Sequence, residues 1–529
     1  MHWIDAVIIL FSLALTVTVG LWFARNWQSS DEYFLAGRNL PWPLIGFSLF
    51  ATNISTEHFV GLAEGGYAKG LVVGGYEWIA SYCLIMLAVV FAPQYLKHKV
   101  FTIPEFFEKR YGIEARIGLS AYFLIMIVLT KTTLAIYTGS LVISSFTGLS
   151  LTAVMWGVGI FTAIYTMAGG LRAVVYTDFI QAIILIGGSA VLTFQALSEV
   201  GGWNHLLAAL RATGTTQLLS MVRPPTDPDL PFSGFLLGNF LIGGMFYWCM
   251  DQVNVQRVLG ARNVHHARGG ALFAAALKII PVFIMVLPGV IATVLYRDQI
   301  DQPKHTYSVL VQNLLPVGLR GFVLSALIAA LMSSLSSSFN SAATLVSRDF
   351  VARFRPQTSM KWQIRIGQLG LLVVMFAGVM CAPLIEKFDT IWDYLQIVTG
   401  YLSVPFAVAG LLGVFSRRIN RQGAFAGIVA GIAAGGFFFS EAQFAWGLLA
   451  SPYLASFLHR IFLAGVVSAV TMIVVSRITP APRQEVTEGS FSLFDWETVR
   501  PSSAGWYADY RLWAGLIFAV VTWLWYLFA

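Results

Sequence analysis

The stretch 41–70 has the length and apolar content of a membrane span, yet its centre is polar. It reads PWPLIGFSLFATNISTEHFVGLAEGGYAKG, with Thr52, Asn53, Ser55, Thr56, Glu57 and His58 in the middle. About 30 Å of hydrocarbon takes about 20 helical residues, so these side chains would sit near the midplane. Unsatisfied polar groups are costly there, and backbone leaves the helix only where protein or a wet cavity receives it. A span unwound at its midpoint is how secondary transporters hold ions and solutes. The chain is therefore expected to be an all-α integral membrane protein built around such a site.

The remainder of the sequence fits that reading. Hydrophobic residues make up 57% of the chain and charged residues 11%, against about 25% charged in a soluble domain. The first apolar stretch, 4–24, is too long for a signal-peptide core and lacks a basic leader, so it reads as a retained span. Cys83, Cys249 and Cys381 all lie in apolar stretches and imply neither a disulfide framework nor a metal site. The net charge of +7 sits in short loops, where it sets topology rather than recruiting nucleic acid. Neither a GxSxG or HExxH motif nor a paired catalytic carboxylate arrangement is present, which argues against an enzyme.

Fourteen spans are expected, at 4–24, 42–63, 73–95, 118–146, 150–168, 177–199, 233–256, 270–296, 319–347, 366–384, 389–414, 423–441, 457–476 and 510–528. The loops on one side then carry 23 Lys and Arg and those on the other side 8. That bias places both termini outside, in a cell membrane. The connections 200–232 and 478–508 are long and polar, but neither is long enough to be a domain.

A second interrupted span lies at 233–256, with Gly243-Gly244, then Phe246-Tyr247-Trp248, then Asp251-Gln252. It follows the first by five spans. An odd period inverts the second unit in the membrane, so spans two to six and seven to eleven read as an inverted five-helix repeat. The chain is then one transmembrane transporter domain, 1–529. Its parts are a first span and loop at 1–40, a repeat core at 41–414 and accessory spans at 415–529.

Ionisable residues inside the spans are few, and His58, Glu77, Lys131, Asp178 and Lys278 stand out among them. Charges at such depth usually mark pathways or buried pairs. The ninth span is more distinctive. It reads ALIAALMSSLSSSFNSAATLV, with Ser333, Ser334, Ser336, Ser337 and Ser338 in an apolar helix. Packing alone would be served by Ala or Gly. Ala330, Ser333 and Ser334 share a face. Two hydroxyls and a freed carbonyl there, with carbonyls from an unwound 51–54, would supply about five oxygens to a hard cation such as Na⁺.

At these residues the sequence resembles the sodium/glucose cotransporter branch of the solute:sodium symporters, which have the LeuT-type fold. The stretches that carry the resemblance run from Asp31-Glu32-Tyr33-Phe34-Leu35-Ala36-Gly37-Arg38 to the last span. They include Asn53-Ile54-Ser55, Tyr76-Glu77-Trp78, Tyr176-Thr177-Asp178, Asp251-Gln252-Val253, Gln256-Arg257 and Ser333-Ser334-Leu335. The resemblance implies a sugar site of Asn53, His58, Tyr76, Glu77, Tyr247, Trp248, Lys278 and Gln396, with Tyr247 closing its inner side. It implies a sodium site of Ala51, Ile54, Ala330, Ser333 and Ser334. In members with a second sodium site, an acidic residue on the sixth span joins hydroxyls on the ninth, here Asp178, Ser336 and Ser337. Gly244 and Ala80 depart from the pattern, because members usually place a polar side chain at the first position and some place Ser at the second.

The expected activity is sodium-coupled symport of a small neutral sugar, a hexose such as glucose or galactose, by alternating access. Na⁺ is the coupling ion, with no other cofactor, and the sugar, Na⁺ and the lipid bilayer are the partners. The alternatives are a myo-inositol or other neutral-solute transporter, or a sensor or channel that kept the fold.

Overall fold

The computed structural model describes residues 2–23, 29–387, 391–444, 451–482 and 509–529, with side chains 386–387, 391–398 and 442–443 also left out. Secondary structure among the described residues is helical apart from one isolated bridge between Leu40 and Ala261. Among the described residues eleven helices are long and apolar enough to cross a membrane. The fourteen expected spans exceed that count for three local reasons. Leu151–Glu199 is one 49-residue run covering two of them. The span at 42–63 is broken into two shorter helices. Ile391–Phe415 contributes only the shorter apolar stretch Thr399–Phe415.

The first break falls inside the polar run. Trp42–Asn53 ends at Ile54 (φ −77°, ψ 102°), and Thr56–Lys69 starts after Ser55 (φ −115°, ψ −171°). The local sequence favours a stop there. Thr52, Ile54 and Thr56 are β-branched, and Asn53 and Ser55 compete for backbone hydrogen bonds. The Ser55 N–H donates to His58 Nδ1 at 3.4 Å, as the third residue of a capped helix does.

The second break lies at Met250 (φ −132°, ψ −15°) and Asp251 (φ −68°, ψ 125°). Asp251 caps the next half-helix, Gln252–Leu259, by accepting from the N–H groups of Val253 (2.8 Å) and Asn254 (3.4 Å). Gly243 and Gly244 do not form the break. They end a π-helical run, Phe235–Gly244.

Leu319–Thr344, the serine helix, runs through the centre, and every residue from 329 to 344 is buried. It packs against Leu151–Glu199, Trp42–Asn53, the N-terminal helix Trp3–Phe23 and Met360–Cys381. Leu151–Glu199 turns at Gly170 (φ 57°), where a Cβ would come within 2.4 Å of the Tyr33 carbonyl oxygen, so only glycine fits. The N-terminal helix is peripheral, burying only Asp5, Thr16 and Gly20. Asp5 Oδ1 nevertheless accepts from the N–H groups of Gly318 (2.8 Å) and Gly321 (2.9 Å), where the serine helix begins. The connection 200–232 is more ordered than a loop. It carries the helix Trp203–Ala212, and the Met221 N–H donates to the Phe528 carbonyl at 2.6 Å.

Candidate functional site

The first break presses against the serine helix. Trp42–Asn53 ends in mid-bundle, so its last carbonyls lack the next turn's N–H donors. Ser333 Oγ donates to the Ala51 carbonyl at 2.8 Å and lies 2.9 Å from the Ala330 carbonyl of its own helix. Ser334 Oγ donates to the Thr52 carbonyl at 3.1 Å. Ala51, Ile54, Ala330 and Ser333 are fully buried, and Ser334 nearly so. Four of the five expected sodium ligands are thus joined across the break, directly or through Thr52. The fifth, Ile54, sits in the extended link itself. Neutral carbonyl and hydroxyl oxygens suit a hard cation.

Asp178 lies next to this cluster. Its Oδ2 accepts from Ser48 Oγ (2.6 Å) and Thr52 Oγ1 (3.4 Å). Thr52 Oγ1 lies 3.0 Å from Ser337 Oγ, and Ser336 donates to the Ser333 carbonyl at 3.1 Å. One residue overturns its expected place. Arg257 counts toward a loop in the sequence reading, but it is fully buried on the half-helix after the second break. Its guanidinium lies 3.8 Å from Asp178 Oδ2, donates to Ser48 Oγ at 3.2 Å and also contacts Ser337 and the Val253 carbonyl.

Beside both breaks is a cavity of about 120 Å³, lined by Asn53, His58, Tyr76, Glu77, Tyr247 and Trp248 among others. Gly244 and Ala80, the two departures, line it as well. Asn53 ties the breaks together. Its Nδ2 donates to Tyr247 Oη at 2.9 Å, and its Oδ1 accepts from Lys278. Lys278 also pairs with Glu77 Oε2 at 2.5 Å, and His58 Nε2 lies 3.7 Å from Glu77 Oε1. Lys278 is fully buried and is not itself part of the cavity lining, standing behind Glu77 and Asn53. The Tyr247 and Trp248 rings meet edge-on, with centroids 5.3 Å apart. Gln396 lies on Ile391–Phe415, but its side chain falls outside the described residues.

Several lining residues carry no assignment from the sequence. Lys131, in a π-helical turn, pairs with Asp251 at 2.9 Å and sits 4.7 Å from the centre of the Tyr247 ring. Glu57 and Asn239 also line the cavity. Glu57 belongs to the polar run, and Asn239 is a lone amide in an apolar stretch, so each left a signal.

A cavity bridging two broken helices, next to a buried cluster of neutral oxygens in a membrane bundle, is the anatomy of an ion-coupled secondary transporter. Residues 33–431 match the Sodium:solute symporter family. The chain is 34% identical over 522 residues to "Sodium/glucose cotransporter 1" of Ovis aries, an alignment spanning 90% of this chain and 78% of that protein. It is 35% identical over 524 residues to "Sodium/myo-inositol cotransporter 2" of Homo sapiens, across 91% and 77% of the two chains. Its architecture matches a Na⁺-coupled sialic acid symporter solved in a substrate-bound outward-open state. The TM-score is 0.80 at 21% identity, over 93% of this chain and 100% of that one. The transporter Mhp1 matches at a TM-score of 0.57 and 14% identity, over 88% and 99% of the two chains.

The chain therefore belongs to the sodium:solute symporter family. It is a multi-pass membrane protein of the LeuT-type fold with Na⁺ as its coupling ion, and its relatives are transporters rather than enzymes.

Proposed function

We propose that this protein couples Na⁺ entry to uptake of a small neutral polyol, a hexose such as glucose or galactose, by alternating access. The observation that carries the proposal is the Asn53 network. Asn53 immediately follows Thr52, whose carbonyl meets Ser334, and its side chain joins Lys278 and Tyr247. Na⁺ held by the oxygens of Ala51, Ile54, Ala330, Ser333 and Ser334 fixes the backbone from which Asn53 projects. The same ion thereby orients the polar wall of the cavity. Polyol hydroxyls then compete for Asn53, His58 and Glu77, and Lys278 behind them is freed toward the solute as its bonds to Asn53 and Glu77 open, with Tyr76, Trp248 and Gln396 completing the site. Tyr247 closes one side through its hydrogen bond to Asn53, and breaking that bond releases the solute.

Myo-inositol is the second reading, because a myo-inositol cotransporter matches this chain as well as a glucose cotransporter does. Both termini face outside in this proposal, and 1–40 and 415–529 flank the repeat core at 41–414. Uptake of glucose, galactose and myo-inositol into proteoliposomes, with and without a Na⁺ gradient, tests it. Na⁺-dependent uptake and counterflow of labelled solute are expected. No transport of any of the three, or transport indifferent to Na⁺, would reject the reading, and absence of counterflow would favour a sensor or channel.

A second Na⁺ is proposed at Asp178, Ser336 and Ser337. Among the described residues Asp178 Oδ1 has no hydrogen-bond partner, which leaves an acceptor for it. Arg257 competes, since it already holds Asp178 Oδ2 and Ser337. One charge crossing about 100 mV is worth about 2.3 kcal/mol, or roughly a 50-fold solute gradient, and two charges square that. Reversal potentials under varied gradients return the ratio. A value of two that falls to one in Asp178→Asn supports the second ion. A value of one leaves Arg257 as the permanent cation of that layer.

A further inference from the structure

The π-helical register of Phe235–Gly244 decides which of its side chains share a face. Hydrogen bonds in a π-helix run between residues five apart, so position 239 lies about one turn before position 244. Asn239 and Gly244 both line the cavity. A Cβ placed on Gly244 would come within 3.2 Å of Asn239 Oδ1 and 3.0 Å of Cys83 Sγ. The Asn239 carboxamide therefore borders the space that a side chain at 244 would enter.

Most of the charged groups around it are already engaged. Asn53 holds Lys278 and Tyr247, Glu77 holds Lys278, and Lys131 holds Asp251. Asn239 is only partly buried, and no hydrogen bond joins its side chain to another described residue. A carboxamide offers two donors and an acceptor, which suits hydroxyl groups that both donate and accept.

We propose that Asn239 is a substrate-binding residue. Its carboxamide reads a hydroxyl of the polyol from the half-helix preceding the second break, in the place that Gly244 leaves open. This rests on the polyol reading above and adds a specificity contact to it.

The test is Na⁺-driven uptake by the full chain in proteoliposomes, using glucose, myo-inositol and their monodeoxy analogues. Asn239→Ala is expected to raise KM by about 3- to 10-fold, the factor of one neutral hydrogen bond. For the deoxy analogue lacking the contacted hydroxyl, variant and wild type should have the same KM. An unchanged KM for every substrate overturns the assignment, and so does the same rise for every analogue.

If Asn239→Ala fails to insert, Asn239→Cys combined with Cys381→Ala provides a second route, because Cys83 and Cys249 are buried and the half-buried Cys381 is removed. Substrate should slow its modification by a small thiol reagent, and equal rates with and without substrate overturn the proposal. Wild type that takes up neither polyol rejects the substrate class and this inference together. Normal wild-type uptake with an indifferent Asn239→Ala rejects this inference alone.

Discussion

The two broken spans use the same device for opposite purposes. The break at Ile54–Ser55 presents neutral oxygens, the Ala51 and Thr52 carbonyls, to the hydroxyls of Ser333 and Ser334. The break at Met250–Asp251 is charged. Asp251 caps its half-helix and pairs with Lys131, and Arg257 on the same half-helix reaches Asp178. In a low-dielectric interior an unpaired charge is expensive, so charges here come already partnered and hold elements together. Neutral oxygens carry no such obligation. They can exchange hydrogen bonds for a passing cation and return to them when it leaves. The uncharged break is thus suited to exchange, and the charged one to latching.

The largest effect that would break this contrast comes from the serine pair. Replacing Ser333 and Ser334 together by Ala removes two of about five oxygens while leaving the helix well packed. Na⁺-driven uptake is expected to fall to background in protein that inserts normally. Wild-type Na⁺ dependence in that variant would remove the first break from the ion pathway.

The next effect concerns the charged wall. Glu77→Ala deletes the carboxylate that holds Lys278 at 2.5 Å and leaves a fully buried ammonium with Asn53 as its remaining hydrogen-bond partner. Hydrogen bonds to charged groups are worth about 1.5–3 kcal/mol, so substrate affinity should weaken by roughly 10- to 100-fold. Equilibrium binding to purified protein reads this directly. Unchanged affinity would make the Glu77–Lys278 pair a packing device only.

Much of this contrast is legible in the chain, because cost in a membrane leaves marks. A polar run inside an apolar span marks a break, and five serines within six positions of one helix exceed what packing needs. Glu77 and Lys278 stand out as lone charges, but their pairing joins residues 201 positions apart, which no local pattern encodes. Arg257 was misplaced for a similar reason. Beyond Asp251 its helix resembles a loop-facing end, and only the fold carries it under the serine helix. Asn239 escaped because a π-helix changes the face on which a residue appears, and the 3.6-residue period gives no warning of that. The emphasis on Gly243-Gly244 overlooked that an N-cap starting a new helix fixes a break as firmly as glycine does, and Asp251 supplies one seven residues after Gly244.

The smallest effect tests whether the peripheral N-terminal helix belongs to the neutral break at all. Asp5 is fully buried on that helix. The serine helix starts after Gly318 (φ 90°), which has no side chain with which to cap it. Gly321 lets the two backbones close, since a Cβ there would lie 2.6 Å from Asp5 Cα. Asp5 therefore caps the serine helix from outside it, with the positive end of the helix dipole offsetting its charge. The capped end lies about nine residues, or about 13 Å of helix, before Ala330. Asp5→Asn keeps the acceptor and loses the charge, whereas Asp5→Ala loses both. A lost cap costs about 0.5–2 kcal/mol. Asp5→Ala should lower thermal stability and raise the Na⁺ half-saturation concentration by several-fold, with substrate KM at saturating Na⁺ unchanged and Asp5→Asn intermediate. Lower stability at unchanged Na⁺ affinity would confine Asp5 to packing. A matched rise in Na⁺ half-saturation and substrate KM would mean that the disturbance reaches the charged break as well, and that the two breaks are less independent than their chemistry implies.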